Sequence, residues 1–129
     1  MHVVATTVTF TVTDPLASAS FFVQHFGYQQ VLSFEGGSAI ERPDGGPTLF
    51  FMQFGSSNLE QSLRYSSVQG VSLALTVQDL DLEVTRLTAN GVMLRSEIEQ
   101  DDWGERHAQV LDPNGLIIQL VQWISGRPY

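Results

Sequence analysis

The chain says nearly the same thing twice. Val8-Thr-Phe-Thr-Val-Thr-Asp14 opens the first half and Ser72-Leu-Ala-Leu-Thr-Val-Gln-Asp79 the second. Each reads as a strand of period two that ends in Asp and runs into a helix. The helices stop at Gly27 and Gly91, and turn-punctuated strands follow, marked by Asp44-Gly-Gly46 and Asp112-Pro-Asn-Gly115. A repeat of about 65 residues present only twice is a duplicated βαβββ unit, since solenoids need three or more shorter repeats. The fold class read from this pattern is α+β, two tandem βαβββ modules with curved mixed sheets around a cleft. Module one covers about 6–55, a Ser-rich polar linker about 56–69, and module two about 70–124, all within one domain.

In the first strand Val8, Phe10 and Val12 alternate with Thr7, Thr9 and Thr11, which directs the apolar set toward helices and the threonines toward the cleft or solvent. Asp14-Pro15 is an N-cap followed by proline at the first helical position. The helix is expected to run to about Phe26, burying Leu16, Ala19, Phe22 and Phe26 or their neighbours. Strands are expected near 28–34, 38–42 and 49–54, with a short helix at about 59–63 in the linker. In the second module Asp79 caps a helix with Leu80, Val84 and Leu87 on one face. Strands near 92–97, 108–111 and 116–123 complete it.

Bulk properties exclude several classes. No apolar run approaches the roughly 18 residues of a membrane span, and no secretory signal is apparent. Absence of cysteine removes disulfides and thiolate chemistry and fits a cytoplasmic protein. A net charge of −8, with six Lys and Arg, argues against nucleic acid and favours cationic partners, or serves solubility alone.

The opening strand-Asp-Pro-helix with Phe21-Phe22 and Phe26-Gly27-Tyr28, and the closing Trp103-Gly-Glu-Arg106 and Asp112-Pro-Asn-Gly115, resemble the vicinal oxygen chelate superfamily. Its members include glyoxalases, extradiol dioxygenases and bleomycin-resistance proteins. The resemblance covers about 6–123 and is closest in kind to the antibiotic-binding members. Metal-dependent members place His, Glu or Gln at four strand positions. The resemblance puts these on Thr7, Phe50, Ser72 (Val71 if the register slips by one) and Gln119. Of these only Gln119 can ligate, and a neutral amide does not hold a divalent cation without anionic or imidazole company. His2, His25 and His107 read as surface or structural histidines. The cleft is therefore expected to be free of metal and of any other cofactor.

Alternation lines the cleft with Thr7, Thr9, Thr11, Phe50, Met52, Phe54, Ser72, Ala74, Thr76, Ile117, Gln119 and Val121, a trough suited to a flat organic ligand. Phe50, Met52 and Phe54 form its apolar wall, or else ordinary core. Trp103 lies between Asp101-Asp102 and Gly104-Glu105, where an indole can stack on an aromatic or cationic ligand drawn by Asp101, Asp102 and Glu105. The alternatives are a tryptophan that covers a seam and a bare solvated acidic loop. The Trp-Gly-x-Arg segment resembles that of antibiotic-sequestering members, in which such a tryptophan stacks on bound drug. Arg106 either meets a ligand or pairs with a carboxylate. No Ser-His-Asp set, phosphate loop or Gly-x-Gly-x-x-Gly motif occurs.

The favoured expectation is a small-molecule binding and sequestration protein of the bleomycin-resistance type, with an aromatic or cationic ligand. The alternative is a divergent glyoxalase-like lyase, isomerase or dioxygenase acting in the same cleft. A module that only dimerises with another protein is a third. Open sheet edges and an apolar trough also predict a homodimer with no nucleic-acid or membrane partner.

Overall fold

The computed structural model describes residues 1–129 and divides into two compact units, Met1–Gln69 and Gly70–Tyr129. Unit one contains β1 (Thr7–Val12), α1 (Pro15–His25), β2 (Gln29–Phe34), β3 (Gly37–Glu41), β4 (Thr48–Gln53) and a 3-10 turn at Gln61–Leu63. Unit two contains β5 (Ser72–Thr76), α2 (Leu80–Ala89), β6 (Leu94–Gln100), β7 (Glu105–Leu111) and β8 (Ile117–Trp123). The sheets have orders β1-β4-β3-β2 and β5-β8-β7-β6, so the same mixed topology appears twice in an α+β fold. In each, the first strand pairs in parallel with the last, Thr9 beside Phe50 and Ala74 beside Gln119. No helix is long and apolar enough to cross a membrane.

Local chemistry starts both helices alike. The Asp14 carboxylate accepts from the Ala17 N–H at 3.1 Å, and Asp79 accepts from the Leu82 N–H at 3.0 Å. The buried stripe of α1 is Pro15, Ser18, Ala19, Phe22 and His25, which share one helical face. Leu16, expected in the core, is 57% exposed because it lies one residue, about 100°, away from that stripe. Val8, also expected to pack on a helix, is 38% exposed, since α1 rests chiefly on β3 and β4 and leaves the start of edge strand β1 uncovered. In α2 only Leu80 and Leu87 are fully buried, and Val84 is half-buried.

The two cores differ in kind. Unit one is aromatic: Phe22 meets Tyr28 edge-on at 5.3 Å and Phe51 at 5.7 Å, and Phe51 stacks on Phe10 at 5.7 Å. Unit two is aliphatic, built from Leu80, Leu87, Val110, Leu116, Ile118 and Leu120.

The segment following β4 folds back onto unit one. Leu63 C=O accepts from the Thr11 hydroxyl at 2.9 Å, Arg64 C=O accepts from the Gly55 N–H at 2.7 Å, and Leu59 is buried. The helical part is the three-residue 3-10 turn, shorter than the sequence suggested.

Arg42 ties three elements together. Its guanidinium donates to the Phe26 carbonyl at the C-terminus of α1, forks onto Asp44 at 2.7 and 2.5 Å, and lies over the Tyr28 ring at 5.5 Å. Burial raises the Tyr28 phenol above its usual range, and the hydrogen bond from Arg42 lowers the Asp44 carboxyl below its own. Arg42→Ala should destabilise the protein by about 1–2 kcal/mol in urea denaturation, through the lost helix-end bond and packing. A depressed carboxyl stabilises the fold above its unfolded pKa, and that contribution fades as pH falls through the folded value. The variant should therefore lose less stability than the parent on acidification across that window.

Candidate functional site

Strands of period two commit one face of each sheet to its helix and leave the other without one. In unit two the face away from α2 carries Gln119 on β8 together with Glu105, His107 and Gln109 on β7, because Gln109 pairs with Gln119 and His107 with Val121. These side chains form a chain of hydrogen bonds. Gln109 Nε2 donates to Gln119 Oε1 at 2.8 Å, Gln119 Nε2 donates to Glu105 Oε1 at 2.9 Å, and the Trp103 indole N–H donates to Glu105 Oε2 at 3.0 Å. Beside them His107 Nε2 lies 3.1 Å from Asp101 Oδ2.

Trp103 stands at the tip of the β6–β7 hairpin. Asp101 C=O accepts from the Gly104 N–H at 3.1 Å, and Asp101 N–H donates to Glu105 C=O at 2.8 Å. Gly104 has φ of +90°, a conformation the turn needs and L side chains rarely adopt. The indole is 68% exposed and Asp102 is exposed beside it. The ring is thus both solvent-accessible and held by its N–H.

Arg106 is not part of this group. It follows Glu105 by one residue and so points to the opposite face, where its guanidinium pairs with Asp81 at 3.2 and 3.3 Å near the start of α2. It also reaches Gln122 Oε1 at 3.4 Å, which accepts from the Leu80 N–H. Ser72, Ala74 and Thr76 are exposed along edge strand β5, Ile117 is half-buried and Val121 is buried.

In unit one, Thr9, Thr11, Phe50 and Met52 share the face away from α1 with Ala39 and Gly37. Thr7 and Thr9 are exposed, and Phe50 is half-buried with its ring edge-on to Phe34 at 6.0 Å. Phe54 is 46% exposed, against Tyr65 at 5.5 Å. Met52 is 4% exposed and cannot serve as an accessible wall, and Thr11 is closed off by the Leu63 carbonyl. Phe34 lies over Gly37, where a Cβ would overlap its ring, so only glycine fits beneath it. A groove of about 520 Å³ opens at the start of α1, between Leu16, Phe34, Glu35 and Gln53. Nothing in the strand pattern marks it.

The donors do not suit a metal ion. No group of three or more His, Cys, Asp or Glu side chains is placed to hold one. Gln119 has a single ligating atom, its neutral amide oxygen, which also accepts from Gln109 and stands without a set of anionic or imidazole ligands. His107 offers no atom to a substrate either, since Nε2 faces Asp101 and Nδ1 is buried without a partner.

A strand beginning at Ala108, as the sequence suggests, leaves Glu105 and His107 outside the sheet, and the pairing of Gln109 with Gln119 carries no local sequence signal. The strand begins at Glu105, and alternation forward from there brings Glu105, His107 and Gln109 onto one face.

Residues 2–120 match the Glyoxalase/Bleomycin resistance protein/Dioxygenase superfamily. The chain belongs to this superfamily. No curated protein matches it. Among solved structures, it is similar to a glyoxalase/bleomycin resistance protein/dioxygenase from Nocardioides, at TM-score 0.77 and 19% identity over 100% of this chain and 89% of that one. TnmS3, an antibiotic binding protein from Streptomyces sp. CB03234, superposes at TM-score 0.72 with 22% identity, covering 95% of this chain and 99% of its own. Lactoylglutathione lyase from Agrobacterium tumefaciens does so at 0.71 with 16% identity, covering 94% of each. At these identities the likeness establishes the fold, which binding proteins and enzymes share.

Trp103→Ala should change folding stability by no more than about 0.5 kcal/mol, as expected for an exposed side chain. In a Trp123→Phe background, Trp103 emission should be red-shifted and readily quenched by iodide or acrylamide. A loss of about 3–5 kcal/mol on substitution would instead assign the indole to a core.

Proposed function

We propose that this superfamily member is a metal-free binding protein of the bleomycin-resistance type, holding a small aromatic or cationic metabolite without altering it. The observation that carries this reading is Trp103, 68% exposed yet fixed through its N–H to Glu105. An exposed aromatic ring with a set orientation loses little freedom on stacking, which is the property of a binding anchor. Asp101, Asp102 and Glu105 add attraction for positive charge, reinforced by the net charge of −8. Within the same unit, exposed Ser72 on β5 is a further hydroxyl that a ligand can reach. The likeness to TnmS3, described as an antibiotic binding protein, supports the same direction.

The working form in this proposal is a homodimer. Val31, Leu32, Phe34 and Phe54 are each 41–52% exposed on unit one, and burying such side chains favours association. Equilibrium sedimentation at micromolar concentration should give twice the 14.3 kDa of the chain. A monomer would overturn the dimer.

A thermal-shift screen of aromatic and cationic metabolites and antibiotics should yield a stabilising ligand. At 100 times its Kd the ligand adds about 2.7 kcal/mol. Trp103→Ala should weaken that ligand by about 1–3 kcal/mol, roughly 5- to 150-fold, and the ligand should be recovered unchanged. Stoichiometric Ni, Mn, Fe or Zn in purified protein, or turnover of the ligand, would replace this reading with an enzymatic one.

A further inference from the structure

We infer that Glu105 determines ligand class, selecting an organic cation (an ammonium or guanidinium group) seated on the Trp103 ring, with Gln119 and Gln109 as positioning residues. This rests on the binding role proposed for Trp103 and narrows it from aromatic or cationic to cationic.

Glu105 is a half-buried carboxylate with no cation of its own. Its two oxygens each accept one neutral N–H, from Gln119 and from the Trp103 indole, and the adjacent Arg106 is turned to Asp81 on the other face. Asp101 is engaged with His107 instead. Two neutral donors leave part of the acceptor capacity of a carboxylate unused and none of its charge balanced. The missing charge is therefore one a ligand can bring.

The indole shares this preference. With its N–H bonded to an anion, Trp103 offers only its π surface, and polarisation along a hydrogen-bond chain makes that surface more electron-rich. Ring and carboxylate then attract a cation together and disfavour an anion together. The amides set the geometry. Because Gln119 Oε1 accepts from Gln109, its NH2 is the end aimed at Glu105, and the carboxylate in turn holds the indole. A glutamate placed here without that relay would be free to turn into solvent.

The test compares two probes of one shape, benzyltrimethylammonium and its neutral carbon isostere neopentylbenzene, by Trp103 fluorescence in a Trp123→Phe background. The wild-type site should bind the cation at least 10-fold more tightly, with the preference falling as salt rises. Glu105→Gln keeps the shape and one of the two acceptor oxygens while removing the charge. It should bring the two affinities within about 2-fold of each other by weakening the cation alone. Gln119→Leu should reduce the cation preference while leaving the carboxylate present. Equal binding of both probes by the wild type, or an undiminished preference in Glu105→Gln, would overturn the assignment while leaving Trp103 as an anchor. Failure of both probes to perturb Trp103, with thermal melts confirming folded protein, would overturn the binding reading and the assignment with it.

Discussion

Parallel pairing between the first and last strands of each unit is the constraint from which the other features follow. A parallel pair cannot be closed by a tight turn, so the chain must cross over, and here it does so through a helix and two antiparallel strands. The helix covers one face of the sheet. Every second residue of β1, β4, β5 and β8 is thereby committed to it, and the residues between are left on a face with no helix. Phe51 and Ile118 are core for this reason, while Phe50 and Gln119 are not.

That constraint explains what was legible in the sequence. Strand periodicity, the duplicated unit and the Asp caps are local patterns, and each cap is satisfied three residues downstream. The superfamily and the α+β class follow from those patterns. Boundaries were harder where charge imitated a loop. Glu105 and Arg106, next to an acidic turn with a glycine, look solvated in sequence, yet both belong to β7 and sit on its opposite faces. Long-range polar contacts were not legible at all. The Thr11 hydroxyl bonds a carbonyl 52 residues away, and Arg42 caps a helix that ended 16 residues earlier in the chain.

The two units also show how one topology accepts different chemistry. At the same turn the first unit has Arg42-Pro-Asp-Gly45 and the second Asp112-Pro-Asn-Gly115. In the second, buried Asp112 accepts from the Asn114 and Leu116 N–H groups and closes the turn on itself. In the first, Arg42 reaches out to α1 and Tyr28, so the turn also fastens the helix. The aromatic core beneath it presents larger, flatter surfaces than the aliphatic core of unit two, and an extra tie at the helix end suits that packing.

Gln119 shows most clearly why a residue type alone does not define a site. Read in sequence, it is the one member of the four strand positions able to ligate. Its amide oxygen is neutral, already accepts from Gln109, and has no cluster of His, Asp or Glu beside it to complete a metal site. The Gln109 bond orients the amide so that its NH2 goes to Glu105, whose second oxygen holds the indole of Trp103. The hydrogen-bond direction therefore runs from strand interior to hairpin tip, and each bond fixes the orientation of the next group. Here the oxygen's bond to Gln109 serves to aim the NH2 at a carboxylate. The negative charge stays with the protein, uncompensated, beside an aromatic ring open to solvent.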